Sequence, residues 1–118
     1  MPELNIQSQM VGKDICILTL SGFLDAHTFE RLDESIVNLF QQGVYKIIAN
    51  LKGVEYISSA GAGVFIGSLA TAQENSGDIV LVNPTPNVRE VFDLLGLSQI
   101  FRIVDDNAAA VQMLRGGG

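Results

Sequence analysis

The chain has 118 residues, 47% of them hydrophobic, and its 7 lysines and arginines against 13 acidic residues give a formal net charge of −6. A chain of this length and composition is expected to form one domain, residues 1–118, with a core that needs no disulfide or metal. The negative charge argues against nucleic acids and anionic membrane surfaces as partners, because phosphate binding needs a basic stripe.

A hairpin is predicted at the start of the chain. Residues 4–10 alternate apolar and polar side chains, which is typical of a half-exposed strand, and residues 15–20 form a nearly continuous apolar run, which is typical of a buried one. Cys16, the single cysteine, lies in that run, where we expect a small buried side chain rather than a reactive thiol. Ser21 and Gly22 are expected to end the second strand.

A helix, a strand and a second helix are predicted next. Asp25 is expected to cap the first helix, whose apolar side chains recur at helical spacing, and Gly43 is expected to close it. The apolar segment at residues 44–51 predicts a third, buried strand. The second helix is expected to begin near Ser59 and to run over residues 59–72.

The second half of the chain continues this alternation. Residues 79–82 are all apolar and predict a short strand buried on both faces. Thr85 followed by Pro86 predicts the start of a third helix, because a hydroxyl cap and a proline suit those two positions. Gly96 is expected to end that helix.

A last strand and helix are predicted at the end of the chain: a strand at residues 100–104, a helix capped by Asp105 and Asp106, and a flexible tail at residues 115–118. The predicted order is therefore β-β-α-β-α-β-α-β-α. Helices that alternate with buried strands indicate parallel strand pairs joined by helical crossovers. The predicted fold is a single α/β sandwich whose mixed, mostly parallel sheet has about five strands, with about four helices.

The sequence offers little for catalysis. His27 is the single histidine and falls in the first turn of a predicted helix, so we predict neither a catalytic triad nor a metal cluster. Gly61, Gly63 and Gly67 loosely resemble a dinucleotide fingerprint, but no acidic residue follows the next strand and no P-loop lysine occurs. We therefore predict no enzymatic activity, no cofactor and no metal, with a small nucleotide-binding domain as the less favoured alternative.

Two adjacent serines mark the turn into the second helix. Only one of Ser58 and Ser59 is needed as an N-cap. The small residues 60–63 leave the serine hydroxyls and the backbone accessible to a binding molecule. An added phosphate of roughly −1.5 to −2 charges is tolerated at a helix N-terminus and would repel a partner fitted to a neutral surface. A plain helix cap, with small residues for close packing, is the other interpretation of this turn.

Several segments match a known pattern in their order and spacing. They are residues 22–26 before the first helix, residues 47–51 in the third strand, residues 56–61 at the serine turn, and Asn83-Pro84 leading to residues 91–97. The match extends over nearly the whole chain, from the first hairpin to Leu114. On this basis the chain resembles the STAS domain, and within that family the bacterial anti-sigma factor antagonists.

The resemblance implies a partner and a switch. Members of that family bind an anti-sigma factor that is also a serine kinase, which frees the sigma factor; the kinase phosphorylates a serine at the start of the second helix, and a metal-dependent serine phosphatase removes the phosphate. Alignment on Gly61 and Gly63 places Ser59 at the phosphoacceptor position, with Ser58 as the alternate. Ser58 and Asn50 stand where aspartates are usual in the family, which makes the site less acidic.

A docking surface is expected where three loops converge at one end of the sheet, since rigid elements hold loops there. Tyr56 and Ile57 are expected to be core or rim residues rather than binding hot spots. The predicted partner-binding residues are Gly22, Asp25, Asn50, Gly53, Ser58, Ser59, Ala60, Gly61, Ala62 and Gly63.

The main alternative function has the same fold: an unphosphorylated STAS domain that serves as a scaffold or as an accessory subunit of a transporter. The absence of the usual aspartates slightly favours this alternative. The oligomeric state is left open between a monomer and a weak dimer. We expect a cytoplasmic protein without membrane contact, since no apolar run approaches the ~20 residues that span a bilayer and the acidic start does not resemble a signal peptide.

Overall fold

Strands and helices alternate along the chain in the predicted order. A computed structural model describes residues 3–116. Its elements are β1 (Leu4–Val11), β2 (Ile15–Leu24), α1 (Phe29–Gln41), β3 (Lys46–Ile57), α2 (Ser59–Glu74), β4 (Asp78–Val82), α3 (Pro86–Leu94), a 3₁₀ turn (Leu97–Gln99), β5 (Arg102–Val104) and α4 (Asn107–Gly116).

The strands form one sheet in the order β1-β2-β3-β4-β5. β1 and β2 pair antiparallel, as a hairpin, and the remaining neighbours pair parallel. The prediction of a mixed, mostly parallel sheet is therefore confirmed. The carboxyl ends of β2, β3, β4 and β5 point toward the same end of the sheet. Loops from different parts of the chain meet at that end.

Helices cover both faces of this sheet, unequally. α1, α2 and α3 pack on one face, over the larger apolar core, in which the ring of Phe65 meets those of Phe92 and Phe101 edge to face at 6.4 and 6.3 Å. α4 alone packs on the other face, over a smaller core in which Ala110 and Leu114 cover apolar side chains of the central strands. Burial on both faces explains why the central strands are apolar almost throughout.

β2 is longer than predicted. Ser21 and Gly22 do not end it, and the strand continues to Leu24. Its register with β3 shifts between Thr19 and Ser21 and again between Gly22 and Phe23, and Gly22 has a φ of +99°. A serine and a glycine within a strand therefore mark an irregular, bulged segment here rather than a strand end.

The predicted N-cap of α1 is wrong. Thr28, not Asp25, occupies the cap position. The Asp25 carboxylate instead accepts the N–H of His27 at 2.9 Å, while the Thr28 hydroxyl donates to the Phe23 carbonyl at 2.8 Å and accepts the Asp25 N–H at 3.0 Å. These bonds close the turn that joins β2 to α1, so the aspartate stabilises the approach to the helix.

Other predicted helix boundaries are confirmed. Gly43 and Gly96 follow α1 and α3 with positive φ values of 82° and 75°. The Thr85 hydroxyl accepts the N–H of Val88 at 3.4 Å, and the Asp106 carboxylate accepts the N–H of Ala109 at 2.8 Å.

Three boundaries differ from the prediction in the later strands and at the end of the chain. β3 extends beyond residue 51 because its second half stays paired with β2, and β5 is shorter than residues 100–104 because the 3₁₀ turn precedes it. α4 continues through Gly116, so residues 115 and 116 are helical where a tail was predicted. The rest of that predicted tail, residues 117–118, lies outside the described residues.

Gly77, just before β4, occupies a position with no room for a side chain. A Cβ there would lie 2.0 Å from the Tyr45 carbonyl oxygen, which also accepts the N–H of Asp78 at 3.1 Å. We expect Gly77→Ala to lower the free energy of unfolding by about 2–4 kcal/mol, measured by urea denaturation.

Gly67 supplies the matched control for that substitution. It is an exposed glycine inside α2 with no atom within 4 Å of its Cβ position. We expect Gly67→Ala to raise the free energy of unfolding by about 1 kcal/mol, since alanine is the better helix former. Equal changes in the two variants would contradict the packing assigned to Gly77.

Candidate functional site

The two adjacent serines have different environments. Ser58 is the N-cap of α2: its backbone is extended, it is half-buried, and its hydroxyl accepts the N–H of Gly61 at 3.2 Å. Ser59 is the first residue of the helix and is exposed. The structure thus gives Ser58 a capping role and turns Ser59 toward solvent.

The end of β2 holds the start of α2 in place. The N–H of Ser58 donates to the Leu24 carbonyl oxygen at 3.0 Å. A Cβ on Gly61 would lie 2.6 Å from that same oxygen, so only glycine lets the helix approach β2 this closely. Tight packing on Leu24 accounts for Gly61 without any bound nucleotide.

Gly63 does not share that role. No atom lies within 4 Å of its Cβ position, and the residue is exposed. Close packing is therefore observed at Gly61 and not at Gly63. Of the two alanines in this segment, Ala60 is exposed, whereas Ala62 is fully buried in the core and is not available to a partner.

Two other predicted site residues, Gly22 and Gly53, lie within β2 and β3, several residues before the turn. Gly22 pairs with Val54, and Gly53 pairs with Ser21. A Cβ on Gly53 would lie 2.8 Å from the Cβ of Ser21, so this glycine permits close strand packing. Asp25 follows directly after β2. The end of β2 and the end of β3 meet the start of α2 through Leu24, which pairs with Ile57 and accepts the Ser58 N–H, while Gly22 and Gly53 are strand residues rather than the predicted loop residues.

Asn50 does not belong to the serine turn. It lies within β3, eight residues before Ser58, which corresponds to a separation of about 26 Å along a strand. Its side chain donates to the Asn107 side chain at 2.9 Å and accepts the N–H of Lys52 at 3.0 Å. The amide thus ties β3 to the start of α4, and the expected convergence of Asn50 with the serines is wrong.

An aromatic pair beside the turn was not singled out in the sequence as part of the site. Phe23 and Tyr56 are register partners on β2 and β3, with ring centroids 5.9 Å apart. Tyr56 is 48% exposed, while its neighbour Ile57 is buried in the core. The expected core placement is confirmed for Ile57, whereas Tyr56 is exposed and does not lie in the core. The available signal for Tyr56 was an aromatic residue that follows the charged Glu55 at the end of an apolar strand.

The charge at the start of α2 is set by the helix itself. The first turn of α2 contains no acidic residue. Its N–H groups and dipole therefore present positive character that no carboxylate of that turn offsets. A negative group on the Ser59 oxygen would be electrostatically favoured at this point.

In the part of the chain that the structure describes, few other side chains are suited to catalysis or metal binding. Burial raises the pKa of the Cys16 thiol, which keeps it protonated and unreactive. Residues 3–116 contain no group of three or more His, Cys, Asp or Glu side chains placed to hold a metal ion. Among those same residues, no helix combines the length and apolar character needed to cross a membrane.

The different roles of the serines predict different effects on stability. We expect Ser58→Ala to lower the free energy of unfolding by about 1 kcal/mol, because the Gly61 N–H loses its cap. Ser59→Ala, at an exposed helical position, is expected to change it by less than about 0.5 kcal/mol. Urea denaturation of both variants measures this, and a larger loss with Ser59→Ala would contradict the assigned cap.

Comparison with known proteins gives a consistent result. The STAS domain sequence profile matches residues 7–110. The anti-sigma F factor antagonist of Lysinibacillus sphaericus is 34% identical over 95 residues, which cover 80% of this chain and 81% of that protein.

Solved structures agree with the sequence match. The anti-sigma factor antagonist SpoIIAA in its unphosphorylated form superposes with a TM-score of 0.85 at 29% identity, over 95% of this chain and 97% of that one. The phosphorylated form of SpoIIAA, a Bacillus cell fate determinant, superposes with a TM-score of 0.75 at 28% identity, over 94% of this chain and 100% of that one. The resemblance inferred from the sequence is confirmed, and the chain belongs to the STAS domain family.

Proposed function

We propose that this protein is an anti-sigma factor antagonist that binds an anti-sigma factor with serine kinase activity, releases a sigma factor, and is switched off by phosphorylation of Ser59. The observation that carries the proposal is the exposed Ser59 hydroxyl at the first position of α2, beside a serine already engaged as the cap. Support comes from a relative named as an anti-sigma factor antagonist and from SpoIIAA, which has a phosphorylated form.

Ser59 is a better acceptor than Ser58 for a physical reason. The Ser58 hydroxyl accepts the Gly61 N–H and is half-buried, so modifying it would disturb the cap. The Ser59 oxygen is accessible to a kinase without any movement of the helix. In the proposed step this oxygen bonds to the γ-phosphorus of the kinase's ATP, the bond to ADP breaks, and the hydroxyl proton passes to a base on the kinase.

The phosphate acts by its charge. It adds roughly −1.5 to −2 charges at the end of α2, where the helix favours a negative group. The domain therefore stays folded, while a partner surface fitted to a small neutral hydroxyl is repelled. A metal-dependent serine phosphatase reverses the change.

This role requires no chemistry from the chain itself. ATP belongs to the partner kinase, so the protein is a substrate and a ligand, not an enzyme, and it holds no cofactor. The site is less acidic than the family pattern, since Ser58 caps α2 with a hydroxyl and Asn50 serves the contact with α4. Recognition of the serine then depends on shape and apolar contact near it. We place the protein in the cytoplasm, with its partners.

The proposed docking surface is the switch face, defined as the exposed residues Tyr56, Ser59, Ala60 and Gly63. Their side chains are small apart from Tyr56, which stands out as the aromatic group. Aromatic side chains at interface centres contribute much of the binding energy. Tyr56, held by its contact with Phe23 at 5.9 Å, is therefore proposed as the anchor of this face.

The switch is tested with Ser59→Ala and Ser59→Asp beside the wild type. Each domain is used to capture proteins from the native lysate, and captured proteins are identified by mass spectrometry. We expect the anti-sigma factor kinase with wild type and Ser59→Ala, and little or none with Ser59→Asp. ATP added to the captured wild-type complex should place one phosphate on the peptide that carries Ser59.

Ser58→Ala is the control for this experiment. The kinase should still phosphorylate Ser59 in this variant, although the variant is less stable than the wild type. If all variants capture the same partner equally and no phosphate appears on Ser59, the switch is refuted and a scaffold function replaces it.

The anchor role of Tyr56 is tested separately, with purified kinase. We expect Tyr56→Ala to weaken binding by about 1–2 kcal/mol, roughly five- to thirtyfold in Kd by isothermal titration calorimetry. Leu94→Ala is the matched control, since Leu94 is 79% exposed and lies at the far end of α3 from the Thr85 contact with Val54. Equal weakening in both variants would count against the switch face.

A further inference from the structure

The outer edge of β1 presents a long row of backbone groups. β1 lies at the end of the strand order and pairs with β2 through an unbroken register from Leu4 to Val11. The opposite edge of the sheet is β5, which has only three residues. The two edges therefore differ greatly in how much pairing surface they offer.

The pairing register shows which groups of β1 face outward. The N–H of Phe23 donates to the Glu3 carbonyl at 2.9 Å, so residue 3 faces β2. Because successive residues of an antiparallel strand alternate between the two edges, Leu4, Ile6, Ser8 and Met10 direct their backbone groups away from the sheet. The Arg31 guanidinium donates to the Leu4 carbonyl, which agrees with this direction.

Between Ile6 and Met10 most of the usual protections of an edge strand are missing from β1, while Arg31 covers the outward carbonyl of Leu4. Its sequence, LNIQSQMV, contains no charged residue and no proline, and its register has no bulge. Lysines, prolines, bulges and short length are the devices that keep edges from pairing with another chain. β5, by contrast, is short and carries Arg102, which pairs with Asp78 at 3.0 Å.

We propose that a second copy of this chain docks on the β1 edge, with the two β1 strands antiparallel about a two-fold axis, so that one sheet continues through both copies. An antiparallel pair of identical strands is self-complementary, as a two-fold interface must be. Asn5, Gln7 and Gln9 are exposed on one face of β1, and their amides meet the same row from the second copy.

The uncharged sequence of β1 limits the electrostatic cost of bringing two copies together at this edge. Each copy carries a formal charge of −6, so two copies meet at least cost through an uncharged segment. Beside the edge, a groove of about 410 Å³ is lined by Arg31 and Glu34 among others, one charge of each sign. Pairing through one strand edge is expected to bury less than the ~1,200 Å² or more of stable interfaces, so we expect the dimer to dissociate on dilution.

Hydrogen exchange of single amides, followed by NMR, tests the geometry directly. The N–H groups of Ile6, Ser8 and Met10 should gain protection as the concentration of the wild-type domain is raised. Those of Asn5, Gln7 and Gln9, which face β2, should be protected at all concentrations and serve as the internal control. Sedimentation over the same range should show the mass rising from 12.7 kDa toward twice that value.

A charge on the edge should abolish pairing. Ser8→Lys is expected to weaken self-association at least about tenfold, since it places like charges in proximity across the axis. Gln73→Lys, an exposed change of equal charge on α2, should leave it unchanged. A mixture of Ser8→Lys with Ser8→Glu should associate again. A mass that does not change with concentration, unprotected outward amides, or equal loss in the Gln73 control would each overturn the proposal.

Discussion

The carbonyl oxygen of Leu24 joins the sheet to α2, the helix that begins at Ser59. It accepts the N–H of Ser58 at 3.0 Å, and the absence of a side chain on Gly61 allows α2 to lie against the same oxygen. These contacts determine where α2 begins and how its first turn is rotated. The exposure of Ser59 therefore depends on a glycine that follows it and on a strand far earlier in the chain. A bulkier residue at position 61 would move the helix and with it the hydroxyl.

Element order could be predicted because it depends on local patterns. The apolar run at residues 79–82 and the Thr85-Pro86 cap contain their own structural signal. Strand ends could not be predicted equally well. β2 continues past Ser21 and Gly22 because β3 remains beside it, and that pairing is a tertiary contact.

The cap of α1 shows the same limit. Asp25 and Thr28 are both suitable capping residues, and the choice depends on the path of β2, which brings the Phe23 carbonyl to the Thr28 hydroxyl. At the candidate site, the serine pair could be found from the sequence, but the division of roles between Ser58 and Ser59 could not. The partner of Asn50 lies 57 residues later in the chain, at Asn107, and no local pattern indicates it.

The unequal covering of the two sheet faces has a consequence for the order in which the domain opens. α4 buries only Ala110 and Leu114 fully, and the Asn50–Asn107 bond ties its first turn to β3. Segments with few buried apolar contacts open by local unfolding well before the whole domain does. Detachment of α4 uncovers Ile48 and Val80, a flat apolar patch on central strands that remain otherwise intact. The packing of α4 therefore determines how readily this apolar face of the sheet is exposed to solvent.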